Sequence, residues 1–438
     1  MPERETWSSR MGFVLACVGA ALGLGNIWMF PWRLGKFGGA AFLLIYLFFV
    51  IVLGTSGLME EFAFGRSQKK GAISSFEQVF ADRDLSYGSL LGTIPVLGVT
   101  GVFIFYTVVM GWIFKYFSLS ITGAFNQIEK FPALFGGFTG TGQTIWWHLL
   151  AVIVTLAIVR LGIKKGIEKV NKYMMPTLFV LLIILMIRSL TLSGAGEGLK
   201  FMFVPDWSLL LKPTTWVMAL GQAFFTVSLG GAAMLVYGSY LDDNADIPAS
   251  AFNTVIFNTL SSLLAAFVII PAAFAFNLDP QAGPPLLFIT VPNIFKMMPG
   301  GYIFGVLFFL SIVFAALSSA INLMEVPVEA LIDRFDIDRK KSVFIIGGLG
   351  FLAGIPLDLS MSRFGTFVDT VTIYLIPFGA VLAAITFFWV FGVSEARQEI
   401  NKGSDHPIGK WWEPFAKYVF SAIAIVVLIL NIIYGGIG

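Results

Sequence analysis

The chain has 438 residues, of which 57% are hydrophobic and only 12% charged, and its mean hydropathy is +0.85. A soluble domain carries about twice that charged fraction, so a water-soluble fold is excluded, and a net charge of +2 gives no sign of a nucleic-acid partner. A single cysteine, Cys17, excludes an intrachain disulfide, two histidines are too few for a typical metal centre, and no phosphate-binding loop marks an ATPase.

Apolar runs long enough to cross ~30 Å of hydrocarbon as helices of ~20 residues occupy 11–34, 39–65, 90–122, 143–160, 167–188, 214–240, 251–276, 301–332, 342–357, 365–392 and 413–434. None alternates as a membrane β-strand does. The chain is therefore expected to be an all-α integral membrane protein with eleven transmembrane helices, its surroundings the lipid bilayer. Basic residues collect after the second run (Arg66, Lys69, Lys70), the fourth (Arg160, Lys164, Lys165), the eighth (Arg334, Arg339, Lys340, Lys341) and the tenth (Arg397, Lys402, Lys410). The positive-inside rule puts these loops and the N-terminus in the cytoplasm, in a multi-pass protein of the plasma membrane.

The first run contains "GAALGLGNIWMFPW", Gly19 to Trp32. Glycines, an asparagine and a proline stand at mid-depth, where an unbroken helix is the default. The sixth run has Ser228, Gly230 and Gly231 near its middle. A broken helix is tolerated in a membrane only where protein or a wet cavity covers its unpaired peptide groups. One reading is packing, with Gly19 and Gly23 as a small-xxx-small contact. The other is a site. Breaks in the first and sixth spans are the arrangement expected of two inverted repeats of five helices. Bare amides of a half-helix favour an anion such as a carboxylate, and freed carbonyls with side-chain oxygens suit a hard cation. A zwitterionic amino acid beside sodium satisfies both.

The stretches "GLGNIWMFPW", "GGAAF", "KKGIEKVNKYMMPTL", "GQAFFTVSLGG" and "FAALSSAINLMEV" resemble the neurotransmitter:sodium symporter family, whose bacterial amino-acid transporters have the LeuT fold. The likeness runs from Arg4 to Asp369. It implies a 5+5 inverted repeat with helices 1 and 6 broken. The chain then divides into 1–10, a cytoplasmic N-terminus with inner-gate residues; 11–190, the first repeat (helices 1–5); 191–392, the second (helices 6–10) with an extracellular lid at 280–300; and 393–438, a cytoplasmic loop and helix 11.

The resemblance also implies ligands. A first sodium site would use Ala21, Asn26, Thr226 and Asn258, together with the substrate carboxylate. A second would use carbonyls of Gly19, Leu22 and Ala315 with hydroxyls of Ser318 and Ser319. The substrate would meet Ala21, Gly23, Leu24, Gly25, Tyr106, Thr226, Ser228 and Ser319. Its side chain would lie against Val102, Phe225, Ser228, Gly231 and Leu323. Gly231 stands where a relative that favours small aliphatic substrates has phenylalanine, so a bulky side chain, large hydrophobic or aromatic in the manner of tyrosine or tryptophan, is expected. Asn322 has two readings, a group that reaches a phenolic hydroxyl or an amide facing another helix. Tyr46, Gln222, Thr226 and Ser262 match the family's chloride ligands, and Ser262 holds a position that is a carboxylate in chloride-independent members.

The inner gate is expected at Arg4, Tyr240 and Asp333, with Trp7 packing beneath. At the outer gate Asp369 is present, but the family's arginine is replaced by Met29, which leaves Arg33, about one turn on, to serve. These readings converge on a sodium-coupled amino-acid symporter with two sodium sites and chloride stimulation. The alternative is a channel-like or receptor-like member that has the ion sites but no coupled turnover. An intramembrane hydrolase would need a dyad at depth, and His148 has no evident partner in the sequence.

Overall fold

The computed structural model describes residues 5–280 and 283–437. Arg4, expected at the inner gate, lies outside them, as do positions 281 and 282 of the expected lid. Regular structure among the described residues is entirely helical. Hydrocarbon offers a peptide group no water, so each spanning segment must satisfy its own hydrogen bonds.

In chain order, α1 (Arg10–Ala21) and α2 (Gly25–Lys36) meet at a 55° bend. They are followed by α3 (Ala40–Gln68), α4 (Gly88–Ile121), α5 (Gln143–Val159) and α6 (Ile163–Leu190). Next come α7 (Pro213–Thr226) and α8 (Ala233–Gly238). The chain continues with α9 (Ile247–Ala275), α10 (Gly301–Phe335), α11 (Arg339–Asp358), α12 (Met361–Asn401) and α13 (Trp412–Tyr434).

Among the described residues, 8 helices are long and apolar enough to cross a bilayer alone, and two bent pairs, α1 with α2 and Phe131–Phe138 with α5, bring the number to 10. The remaining predicted run, 214–240, is α7 and α8, of 14 and 6 residues. At ~1.5 Å per residue neither alone crosses ~30 Å, so this run is two short helices joined by an irregular segment, and eleven spans are not found among the described residues.

Local sequence sets the helix ends. Ser9 Oγ accepts from Gly12 N (3.0 Å) and starts α1. Asp246 Oδ1 accepts from Ala249 N (3.0 Å) and starts α9, with Pro248 in the first turn, where its missing N–H costs nothing. Lys69 and Asp336, both with left-handed backbone, close α3 and α10.

The helices pack closely because small residues let their backbones approach. α10 lies along α4, α9 along α6, and α8 against α3. The α3–α8 crossing depends on Gly65, where an added Cβ would stand 1.9 Å from Leu235 O. The two breaks, at residues 22–24 and 227–232, face one another between α4, α10 and α12.

A side chain at Gly65 has only backbone to push against. Gly65→Val is expected to cost ~3 kcal/mol or more by overpacking and to fail as a monodisperse peak in detergent size-exclusion chromatography. Gly348→Ala, on the exposed face of α11 with no atom within 4 Å of the new Cβ, is expected to melt at or slightly above the parent temperature, since alanine is the better helix former.

A candidate binding site between two broken helices

The first break follows from where its peptide groups find partners. Gly23 N donates to Ala21 O (3.0 Å), not to Gly19 O one turn back. Leu24 N donates to Tyr106 Oη on α4 (3.3 Å). Gly19 O and Ala20 O thereby lose their helical donors, and Ser319 Oγ on α10 lies 3.3 Å from each. A Cβ at Gly23 would fall 2.6 Å from Ser319 Oγ and 3.0 Å from Tyr106 Oη, so glycine is what allows α4 and α10 to reach the bare backbone.

The second break is held differently. Ser228 has φ +59° and Gly231 φ +79°. The left-handed region costs a non-glycine residue roughly 1–2 kcal/mol, and Ser228 Oγ is placed to donate to Ala20 O of the other break (3.3 Å). The amides of Gly230, Gly231, Met234 and Leu235 all donate to the Glu61 carboxylate on α3, at 2.9, 2.9, 3.1 and 3.3 Å. Glu61 is buried, and it caps the α8 N-terminus where the helix dipole favours negative charge. The sequence reading missed it. The signal available was a glutamate inside the second apolar run, which in a membrane marks a site by default.

Between the breaks lies a cavity of about 120 Å³, room for on the order of ten waters or ligand heavy atoms. One end is peptide and hydroxyl: residues 23–26, Tyr106, Thr226, Ser228 and Ser319. The other is apolar: Val99, Val102, Phe105, Leu229, Leu323 and Ile376. Ala20, Ala21, Phe225, Gly230, Ala233, Asn322 and Thr372 complete the wall. The structure thus brings together eleven of the twelve expected substrate residues (Ala21, Gly23, Leu24, Gly25, Val102, Tyr106, Phe225, Thr226, Ser228, Ser319 and Leu323).

Gly231 is the correction. Its left-handed backbone turns the position of a side chain towards α12, where a Cβ would meet Gly379 O at 2.4 Å. It seats the α8 end against α12 and opens no space beside a ligand, while Gly230 and Ala233 line the cavity instead.

Beside the cavity, oxygens crowd the Asn26 amide. Its Nδ2 lies 2.7 Å from Asn258 Oδ1, 2.9 Å from Ser262 Oγ, 3.0 Å from Thr226 Oγ1, 3.2 Å from Asn258 O and 3.5 Å from Ser261 Oγ. An NH₂ group donates two hydrogen bonds. Five oxygens around one such group exceed what it can satisfy, and their convergence has the chemistry of a small hard cation's shell. Among the described residues, no group of three or more His, Cys, Asp or Glu forms a metal centre, so the cluster is one of neutral oxygens.

The other expected cation ligands lie around the first break. Ser318 Oγ donates to Ala315 O (3.0 Å), Ser319 reaches Gly19 O as described, and Leu22 is the residue at the C-terminal end of α1. Asn171 on α6, absent from the sequence reading, also belongs to this corner. Its Oδ1 is buried without a hydrogen-bond partner and occupies the space a Cβ at Gly19 would take, beside Ser318.

Of the expected anion ligands, Tyr46 Oη is buried without a partner, with the hydroxyls of Thr226, Ser262 and Thr259 around it. Ser262 Oγ is also 3.3 Å from Asn258 O. Gln222 is turned to the first break, with Nε2 donating to Gly25 O (3.2 Å) and Oε1 accepting from Arg33 Nη1 (3.2 Å). An orphaned phenol ringed by hydroxyls fits an anion, which accepts from O–H donors.

The expected gate residues have the following partners among the described residues. Tyr240 Oη lies 2.7 Å from Glu325 Oε1 and 2.9 Å from Glu329 Oε2, with one proton to share between them, and Arg339 forms a two-pronged pair with Glu325. Asp333 instead accepts from Gly71 N (3.1 Å). Glu329 lies one turn earlier on the same face of α10 and meets Tyr240 first. Trp7 packs on Phe13, Tyr237 and Tyr240 and donates to Tyr237 O (3.0 Å).

At the other end, Arg33 is buried, and Nη1 donates to Ile437 O (2.6 Å) as well as to Gln222. Asp369 is exposed and makes no ion pair with Arg33. The chain past α13 folds back so closely that a Cβ at Gly221 would lie 2.0 Å from Ile437 O, and this carbonyl takes the guanidinium. His148 does have a partner, Asp358 Oδ2 at 2.7 Å from Nδ1, and Thr107 Oγ1 at 3.1 Å from Nε2. None of the three lines the cavity.

Two half-helices opposed across one cavity, with neutral oxygens beside it, define an ion-coupled membrane carrier of the LeuT fold. The profile of the Sodium:neurotransmitter symporter family matches residues 4–129 and 125–435, and the chain belongs to that family, one of sodium-dependent transporters. An uncharacterized sodium-dependent transporter of Bacillus subtilis, YhdH, is 38% identical over 98% of this chain and 97% of its own. The human sodium- and chloride-dependent creatine transporter 1 is 26% identical over 99% of this chain and 78% of its own. Among solved structures, MhsT in complex with L-phenylalanine superposes with a TM-score of 0.88 at 37% identity, covering 98% of this chain and 100% of MhsT.

Glu61→Gln keeps the shape but leaves one acceptor oxygen for four amides. Two or more amides then go unpaired at about 1–3 kcal/mol each. The variant is expected to melt well below the parent in detergent, and thermal unfolding followed by tryptophan fluorescence measures it.

Proposed function

We propose that the chain imports an amino acid with a large hydrophobic or aromatic side chain, driven by sodium and stimulated by chloride, by alternating access of the two repeats. The observation that carries the reading is the cavity's polarity: bare peptide dipoles at one end and apolar walls at the other, in a volume well beyond the needs of glycine or alanine. The substrate carboxylate takes the amides of Leu24 and Gly25 and the Tyr106 hydroxyl. The ammonium takes carbonyls of the two breaks near Ser228. The side chain lies among Val102, Phe105, Leu323 and Ile376.

One sodium ion replaces the Asn26 amide's hydrogen bonds as the centre of the oxygen cluster, with Ala21 O and the substrate carboxylate completing its shell. A second is held at Gly19, Leu22, Ala315, Ser318 and Ser319, with Asn171 Oδ1 at hand. Two cations ~5 Å apart at an effective dielectric of ~20 repel by roughly 3 kcal/mol, and a zwitterion brings no net charge to offset this. Chloride among Tyr46, Thr226 and Ser262 relieves the repulsion. Each net charge carried inward gains ~2.3 kcal/mol per 100 mV, provided that the basic loops face the cytoplasm.

Purified protein in liposomes is expected to concentrate labelled aromatic amino acid only with an inward sodium gradient, faster when the interior is negative. Current or binding without accumulation would favour a channel or receptor. Alanine or glycine outcompeting phenylalanine would overturn the substrate class.

Replacing chloride by gluconate is expected to depress uptake several-fold, and Ser262→Glu, which supplies a fixed negative charge, to remove that dependence. Equal uptake in gluconate at every pH for the parent would contradict the chloride site. Asn171→Leu is expected to raise the half-saturating sodium concentration about fivefold, the equivalent of ~1 kcal/mol for one neutral oxygen. An unchanged sodium curve would leave Asn171 outside the ion shell.

A further inference from the structure

The polar side chains on the cavity wall are accounted for, with one exception. Asn26, Thr226, Ser228, Ser319 and Thr372 each have hydrogen-bond partners in the protein, and Tyr106 Oη receives Leu24 N. Asn322 also lines the cavity and is 1% exposed, yet its Oδ1 has no hydrogen-bond partner. A buried amide oxygen left unsatisfied is costly, and native proteins seldom carry one without a reason.

Its position gives the reason. Ser319 and Asn322 lie one turn apart on α10, ~4.5 Å along the axis. Ser319 is at the peptide end, against Gly23 and Tyr106. Asn322 is therefore set back from the carboxylate anchor, next to Leu323 on the wall that meets the substrate's side chain. A carboxamide offers an acceptor and two donors. An aliphatic or phenyl side chain leaves the acceptor bare, whereas a ring bearing an O–H or N–H fills it.

We propose that Asn322 is a specificity residue that selects aromatic amino acids whose ring carries a hydrogen-bond donor, tyrosine and tryptophan, over phenylalanine. This rests on the reading of the cavity as the site of a large hydrophobic or aromatic amino acid. A site that must satisfy a buried polar group discriminates against the analogue that cannot do so far more strongly than an apolar pocket rejects one extra atom. Asn322 thus narrows a class that the apolar walls alone leave broad.

The test is competition against labelled tyrosine in liposomes, with phenylalanine, 4-fluorophenylalanine, 4-aminophenylalanine, tryptophan and leucine as competitors. In the parent protein, unlabelled tyrosine is expected to compete at about tenfold lower concentration than phenylalanine. 4-Aminophenylalanine should rank with tyrosine. 4-Fluorophenylalanine, of similar size but without a donor, should rank with phenylalanine. In Asn322→Leu the tyrosine-to-phenylalanine ratio is expected to collapse to within about twofold.

Tyrosine and phenylalanine competing equally in the parent would overturn the role of Asn322 while leaving the large-substrate reading intact. So would a parent-like ratio in Asn322→Leu. A parent that is inhibited by alanine or glycine and by no aromatic compound would instead sink the underlying reading. The analogue series needs no variant, so it decides the matter even where Asn322→Leu does not fold.

Discussion

Everything in the centre of this protein follows from one constraint: a peptide group in hydrocarbon must have a partner, and at two places the helix does not supply it. Each unsatisfied group costs several kcal/mol, so the breaks exist only because side chains from other helices replace the missing bonds. Ser319 on α10 stands in for the amides that Gly19 O and Ala20 O have lost. Tyr106 on α4 receives Leu24 N, and Glu61 on α3 receives four amides of the second break. The cavity is the space that this exchange of partners leaves between the helices.

The two breaks are not held with equal strength. Those bonds around residues 19–24 are neutral and long, most of them 3.3 Å. A ligand carboxylate or a cation can replace them at little net cost, because one polar contact is exchanged for another. Four amides converge on the two oxygens of Glu61, so no single exchange of partners releases this break. The second break is thus a fixed support and the first an exchangeable one. Among the described residues no carboxylate lines the cavity wall, which presents neutral oxygens only.

Composition made the membrane class legible, and the runs of apolar residues placed most helices. Glycines at mid-depth, with Asn26 in the first run and Ser228 in the sixth, gave both breaks, because they recur in corresponding spans, which packing alone does not require. What the sequence could not carry was rotation. A half-helix after a break may turn about its own axis, and register alone does not say which of Gly230, Gly231 and Ala233 faces the cavity. The left-handed backbone of Gly231 settles it against the residue expected. Glu329 and Asp333 share a face of α10 for the same helical reason, so choosing between them as the partner of Tyr240 required the depth of the opposing helix. Asn171 and Glu61 were visible as polar residues in apolar runs, but what each faces, the Gly19 turn for Asn171 and the amides of residues 230–235 for Glu61, lies far away in the chain.

Closure at the two ends uses different chemistry, and this bears on how the carrier can cycle. On the side of the basic loops, Arg339, Glu325, Tyr240 and Glu329 form a charged network with Glu325 fully buried. Separating it exposes charges that water must resolvate and that, half-separated in a low dielectric, are costly. On the opposite side Arg33 donates to a carbonyl and an amide, Ile437 O and Gln222 Oε1. Asp369 on α12 is exposed and makes no ion pair with Arg33. Gln222 links Arg33 to the site itself, because its other end donates to Gly25 O at the first break. A ligand that changes the hydrogen bonding of Gly25 therefore acts on Arg33 through a single intervening side chain.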